Sequence, residues 1–438
     1  MRWDFIETLH CPFSGSRFSQ SGSIDERGSD INYGIITSEA GDFPIINGIL
    51  RLKVDEYRSS LNNLIRNQRH EQALLAALEM NSNTRKWAAL NFLDRAANGS
   101  GFSHLAGCLR MLRRPLYRAF TSATDTLTGT VKRLNSKSWA NWQIYRFSML
   151  PFLPVYPLVH LIADDGPALD FGCGVGHSSF LISRGVPAQR VTCADHQFSL
   201  LYLARKFFVN AANFICLDGD YPLPFESSYF SSVHSCDVLH WLDSKVNLSR
   251  EFQRVVSEKG VILLPHLHNK LSPVQAGRSL TPKGYSELFE GMERRILPEH
   301  WVVDQFIRND SLDLEKEWIQ HELNEAITGI SVVAAKGSAF FHRYRGLWEK
   351  HTSRMMHPIV NPLYRIYGQP GKWTLQKETP DATGKFSTGG DTFLPNTELL
   401  GTHSLDPKSL LALKISDHST FIELARKFVI IDAPERFQ

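Results

Sequence analysis

The run Ala168-Leu-Asp-Phe-Gly-Cys-Gly-Val-Gly-His177 constrains this chain more than any other. It sets an acid and three alternating glycines between a short apolar run and a segment of helical spacing. Gly172, Gly174 and Gly176 lack a Cβ, so the backbone there can turn tightly and approach a ligand closely. Asp170, near the end of Pro167-Ala-Leu-Asp-Phe171, supplies a carboxylate acceptor, and Ser178-Ser-Phe-Leu-Ile-Ser-Arg184 continues as a helix. Strand, glycine turn and helix together form the context in which such a loop cradles a nucleotide-type cofactor.

Two further acids follow at matching places. Arg190-Val-Thr-Cys-Ala-Asp195 reads as a strand with Asp195 at its tip, where an acid can bind a ribose diol. Asn213-Phe-Ile-Cys-Leu-Asp218 reads as the next strand and runs into Gly219-Asp-Tyr-Pro-Leu-Pro-Phe225. Tyr229-Phe-Ser-Ser-Val-His-Ser-Cys-Asp237 and Val238-Leu-His-Trp-Leu242 come after it. This series resembles the class I S-adenosylmethionine-dependent methyltransferases over roughly residues 140 to 270. That family has an Asp-x-Gly-x-Gly-x-Gly first motif, an acid closing the second strand, and an Asp before a Leu-Pro-Phe stretch after the third.

The resemblance implies an α/β fold with a Rossmann-like sheet covered by helices on both faces, and S-adenosylmethionine as cofactor. It also implies roles for individual residues. Asp170 and the backbone of Gly172, Gly174 and Gly176 would hold the methionine part, Asp195 the ribose hydroxyls, and Asp218 the adenine amino group. His196 and Gly219 would flank the adenine, with Ser235, Cys236 and Asp237 on the floor after the fourth strand.

At 438 residues the chain exceeds a usual single domain. Its formal net charge of +3 gives no global pull toward nucleic acid or anionic membrane. None of the six cysteines forms a Cys-x-x-Cys pair, which suits buried thiols in a reducing compartment, and a cytoplasmic location is expected. The best candidate for an apolar span, residues 148 to 160, is broken by three prolines, so no membrane partner is expected.

Residues 1–57 resemble the small Trm112-type zinc-ribbon module in Leu9-His-Cys-Pro-Phe-Ser14 and Asp42-Phe-Pro-Ile-Ile-Asn-Gly-Ile-Leu-Arg-Leu52. Ser14 stands where a second zinc ligand would be and residues 37–41 contain no cysteine, so no zinc is predicted. What remains is a β-rich module with a turn at Asn47-Gly48 that packs on the catalytic domain. Residues 58–150 read as a helical cap, with apolar spacings at 61–66, 72–80 and 87–93. Its later part is basic: Arg110, Arg113, Arg114, Arg118, Lys132, Arg133, Lys137 and Arg146 face the single acid Asp125. This span is either a phosphate- or carboxylate-contacting patch or a solvated helix face.

Residues 151–340 form the cofactor domain and 341–438 an α+β extension. Gly260-Val-Ile-Leu-Leu-Pro-His-Leu-His-Asn269 reads as the fifth strand, and ligands in open α/β sheets sit outside the carboxyl ends of the strands. His240, His266 and His268 are therefore the candidate general bases for an acceptor that must lose a proton. A metal reading of His266-x-His268 lacks a third ligand, and none is predicted. Helices are expected at 279–289, 314–326 and 419–428, a strand at 329–335 and a hairpin at 361–376.

The expected activity is methyl transfer to a small-molecule acceptor in a biosynthetic pathway. The alternatives are an RNA methyltransferase, suggested by the Trm112-like start and the basic span, or an S-adenosylmethionine-binding enzyme of another reaction such as cyclisation.

Overall fold

The computed structural model describes residues 1–22, 24–28, 30–79, 125–134, 137–319, 321–369, 372–377 and 409–438. Six parallel strands occupy the middle of one large sheet. β6 (Ala168–Phe171), β7 (Val191–Asp195) and β8 (Asn213–Leu217) are buried at every residue, as strands covered on both faces must be. β9 (Phe230–His234) and β10 (Val256–His268) lie on the other side of β6.

The N-terminal residues extend this sheet. β1 (Ser19–Gln20), β2 (Asp25–Arg27), β3 (Asp30–Ser38), β4 (Gly41–Ile46) and β5 (Ile49–Leu52) form an antiparallel meander. Its last strand pairs in parallel with β8, Ile49 opposite Phe214 and Leu52 opposite Leu217. The turn between β4 and β5 is the Asn47-Gly48 pair, with φ of 50° and 72° as a tight hairpin of this kind demands. On the far side, β13 (Gly329–Ala335) runs antiparallel to β10, and β11 (Glu293–Pro298) closes the edge against β13, while β12 (Ser311–Asp313) lies outside this sheet. The strand order is therefore β1-β3-β4-β5-β8-β7-β6-β9-β10-β13-β11, with β2 paired to β3.

Two buried clusters line the two faces of the sheet. One gathers Phe147, Phe152, Phe180 and Phe208 beneath the helices after β6 and β7; the other gathers Phe171, Phe230, Phe252 and Tyr285 on the opposite face. Described residues after 340 join the first cluster: Trp348 stacks on Phe306 with centroids 4.2 Å apart, and Phe428 and Phe437 lie in the same core.

Most expected elements occur where the residue pattern puts them. Thr281 caps the helix Pro282–Glu287 through a bond to the Gly284 amide, and Asp417 caps His418–Arg426. The hairpin occurs as the paired strands Tyr364–Gln369 and Lys372–Lys377. The helix expected over 314–326 is absent from the described residues there. Leu314, Trp318 and Leu323 carry the apolar face of that pattern, but Asn269 donates through its side-chain amide to the carbonyls of Asn324 and Ile327 at 3.0 and 2.9 Å. Asn324 in turn accepts from the Ala326 amide at 2.9 Å, so the carbonyls and the side chain are used in turns. The helix expected at 87–93 and the cluster Arg110, Arg113, Arg114 and Arg118 lie outside the described residues.

Candidate functional site

β6 has β7 on one side and β9 on the other, so the direction of chain travel across the sheet reverses there. A ligand crevice forms outside the carboxyl ends of the strands at such a point. The glycine loop leaves β6 at this crevice. The amides of Gly172 and Cys173 both donate to the Ala194 carbonyl at 2.7 and 3.1 Å, folding the loop back over β7. Gly172 has φ of 70°, and a Cβ there would lie 2.3 Å from Val238 Cγ2. Gly174 has φ of 56° and nothing within 4 Å of where its Cβ would be, so its backbone faces open space. Gly176 starts the helix His177–Ile182.

The two acids beside the loop are held differently. Asp170 is buried; its carboxylate accepts from Ser179 Oγ at 2.5 Å and lies 2.9 Å from His234 Nδ1, tying β6 to the following helix and to β9. Asp195 accepts from the Gly174 amide at 2.9 Å and from the Gln197 amide at 2.8 Å, one on each oxygen. Each oxygen keeps a second lone pair. His196, next to it, is largely exposed and has Nδ1 3.4 Å from Asp195 Oδ1. Asp218, at the tip of β8, is paired with Lys53 at 2.6 Å, and Lys53 directly follows β5 of the meander. The Gly219 backbone packs so closely that a Cβ would meet the Phe171 ring at 2.8 Å.

A polar cluster covers the floor after β9 and β10. Ser235 is buried, and its Oγ has no hydrogen-bond partner among the described residues. Asp237 has φ of 63°, uncommon for a residue other than glycine. Arg146 Nη2 lies 3.0 Å from Asp237 Oδ2, while Oδ1 faces His240 Nε2 at 3.4 Å and His266 Nε2 at 4.0 Å. Burial favours the neutral acid, but His266, His240 and Arg146 outweigh it and hold Asp237 well below the usual carboxylate range.

The register slips between Leu264 and Leu267, and His266 within that irregularity has φ of 56°. Its Nδ1 lies 3.0 Å from Glu299 Oε2. Burial opposes its charge, yet Glu299 and Asp237 raise its pKa above the ordinary histidine value. Burial raises Glu299 in turn, partly offset by His266. A Cβ on Gly329 would fall 2.1 Å from Glu299 Oε2, so this pairing needs the glycine of β13. His268, half-buried, is lowered to about 4 by burial and by its neighbours His266 and His240. The three histidines are mutually close, with ring centroids of His240 and His268 4.7 Å apart and those of His266 and His268 5.0 Å apart.

The fold thus brings His240, His266 and His268 together with Asp237, and it adds two residues that the pattern of strands and loops did not single out as site residues. Arg146, part of the basic span, turns inward: its guanidinium lies 4.6 Å from the Trp142 ring and pairs with Asp237. Glu299 begins the helix Glu299–Asn309 across two strands of the sheet, and nothing in its local sequence couples it to His266.

Residues 169–264 match the family model described as a methyltransferase domain. No curated protein matches the sequence. Among solved structures, an S-adenosylmethionine-dependent methyltransferase from Aquifex aeolicus shares 12% identity over 48% of this chain and 98% of its own, with a TM-score of 0.32. A TehB-like methyltransferase from Corynebacterium glutamicum shares 17% over 42% of this chain and 88% of its own, with a TM-score of 0.32. A chain of the Haloferax volcanii complex between the Trm112 methyltransferase activator and a methyltransferase shares 14% over 48% and 98%, with a TM-score of 0.33.

Proposed function

We propose that this chain, whose central domain is that of an S-adenosylmethionine-dependent class I methyltransferase, methylates a small-molecule acceptor held over the floor formed by Asp237, His240, His266 and His268. The observation that carries the reading is the pair Gly174 and Asp195: an open glycine backbone beside a carboxylate with spare lone pairs, at the reversal point of the sheet. These residues fit the cofactor. The Gly174 backbone leaves room where a side chain would intrude, Asp195 can accept from the ribose hydroxyls, and Asp218 can accept from the adenine amino group.

Bound there, the cofactor supplies a methyl group already activated on a sulfonium, open to in-line displacement by the acceptor. The chain's own work is to position the acceptor and keep water out. Asp170 acts through the loop: by holding Ser179 and His234 it fixes the turn that carries Gly172 and Gly174. Glu299 holds His266 Nδ1, which leaves Nε2 to take a proton from an acceptor that must lose one. Arg146, with His266 and His240, favours the charged form of Asp237 and holds its Oδ2.

An RNA acceptor rests on the basic span, and Arg146, a member of that span, faces inward. The test is incubation with methyl-labelled cofactor and a cell extract, followed by separation into small-molecule, RNA and protein fractions. Label in the small-molecule fraction supports the reading. Label in RNA favours the runner-up, and cofactor binding with no transfer to any fraction favours a non-methylating reaction.

A further inference from the structure

We propose that Asp237, His240 and His268 form a binding site for one divalent transition-metal ion at the acceptor end of the pocket. One ligand atom from each of the three lies within 4.8 Å of the others. Donor atoms around an ion at about 2.1 Å stand roughly 3.4 Å apart in tetrahedral geometry. His240 Nε2 and Asp237 Oδ1 are already 3.4 Å apart, and a ring nitrogen of His268 lies within 4.8 Å of both.

Three independent features of the cluster point to an ion. His240 is fully buried, and its ring nitrogens make no well-formed hydrogen bond among the described residues: Nε2 has only Asp237 Oδ1 before it, at 3.4 Å, and Nδ1 is unmatched. A buried imidazole without well-formed hydrogen bonds is a cost that natural cores avoid, and ligation through Nε2 would give that nitrogen a partner. The backbone of Asp237 is held in the left-handed region, at φ 63°, which turns its carboxylate toward the imidazoles; strain of this kind gathers at ligand clamps. The carboxylate oxygens are also divided, with Oδ2 taken by Arg146 and Oδ1 left facing the histidines. Arg146 and the His266–Glu299 pair are then the outer groups that orient the ligands, as second-sphere partners do in metal centres.

Two imidazoles and one carboxylate select zinc, iron(II), manganese or cobalt over magnesium or calcium, which prefer all-oxygen cages. Three protein ligands leave a coordination position open. The acceptor is proposed to sit over these same residues, so the open position would take an oxygen donor of the acceptor, a hydroxyl or carboxylate, beside the methylated atom. The acceptor class rests on the methyltransferase reading; the metal site does not.

The test uses the full-length protein without an affinity tag, stripped with a chelator and titrated calorimetrically with zinc, manganese and magnesium chlorides in the absence of cofactor. Cobalt(II) is added separately to read its visible absorption bands. The expected result is one equivalent of zinc or manganese bound, little response to magnesium, and cobalt bands typical of nitrogen and oxygen ligands. His268→Gln, at a half-buried position, should weaken zinc binding at least about 100-fold and abolish the cobalt bands. Asp237→Asn should do the same with nearly unchanged volume. A far-ultraviolet circular dichroism spectrum and a urea midpoint like those of the metal-free wild type report that the fold of both variants survives. Stoichiometric binding absent from the wild type, or retained undiminished in His268→Gln, overturns the site. Metal binding without cofactor binding would overturn the methyltransferase reading and leave the metal site standing.

Discussion

Gly172 and Gly174 are two residues apart, both left-handed, and they should fail in different ways when a methyl group is added. At Gly172 the new Cβ would sit 2.3 Å from Val238 Cγ2 in addition to the φ of 70°, so Gly172→Ala should cost about 1–3 kcal/mol of stability, read as a lower urea midpoint. At Gly174 the Cβ enters open space, so Gly174→Ala should keep most of the stability and lose S-adenosylmethionine binding, because the cofactor has to approach that backbone. Equal loss of stability in both variants would contradict this division. As a sequence the two glycines look alike, and the alternation alone marks the loop without telling which glycine serves packing and which serves the ligand. The acids were legible in the same limited way: strand-tip positions picked out Asp170, Asp195 and Asp218, but only the fold shows that Asp170 is spent on Ser179 and His234 while Asp218 is met by Lys53. Glu299 could not be read from the chain at all, since its meeting with His266 depends on Gly329 of a third strand.

At the scale of elements, the helix His177–Ile182 and the later helix Leu347–Arg354 each bury a histidine in the aromatic core. Burial lowers both His177 and His351 to about 3, well below the ordinary value of 6.5, the positive Arg146 adding to the first and Arg354 to the second. In the unfolded chain each takes a proton below about pH 6.5, while the folded protein keeps it neutral until about pH 3. Their stabilising contribution is therefore full above pH 6.5 and lost as pH falls toward 3, with a slope of up to about 1.4 kcal/mol per pH unit for each. Urea unfolding at pH 7 and pH 5 should show the loss, and His351→Gln should reduce the difference between the two. An unchanged difference would place the acid sensitivity elsewhere. The strands were legible because β6, β7 and β8 are continuous apolar runs closed by an acid, a pattern that does not depend on distant partners. The region after Asp313 was not, because its apolar spacing suits a helix, whereas the Asn269 amide, 55 residues upstream of Asn324, binds its carbonyls together with local side-chain bonds and holds it as turns.

For the whole molecule, the meander of residues 19–52 and the cofactor sheet are one hydrogen-bonded structure. Ile49, Leu50, Arg51 and Leu52 pair with Phe214, Ile215, Cys216 and Leu217 of β8, and Lys53 just beyond reaches Asp218. Removing residues 1–57 would open the edge of β8 and take Ile49 from one core and Ile45 and Leu50 from the other, uncovering the β8 side of both. An unpaired apolar edge of this kind invites association, so the truncated protein should aggregate during purification, as size-exclusion chromatography would show. A monodisperse truncated protein that still binds cofactor would contradict that dependence. The tie also places the N-terminal strands next to the proposed adenine subsite, a connection that the turn signal and worn zinc pattern of this segment do not convey.

The central claim is that the loop from Gly172 to Gly176, closed by Asp195, holds S-adenosylmethionine. Calorimetric titration of the purified protein with S-adenosylmethionine and S-adenosylhomocysteine, with NAD as control, tests it most directly when repeated on Asp195→Ala. Micromolar binding of the first two, none of NAD, and loss of binding in the variant with its fold intact is the predicted result. No binding by the wild type, or binding unchanged in Asp195→Ala, would contradict it.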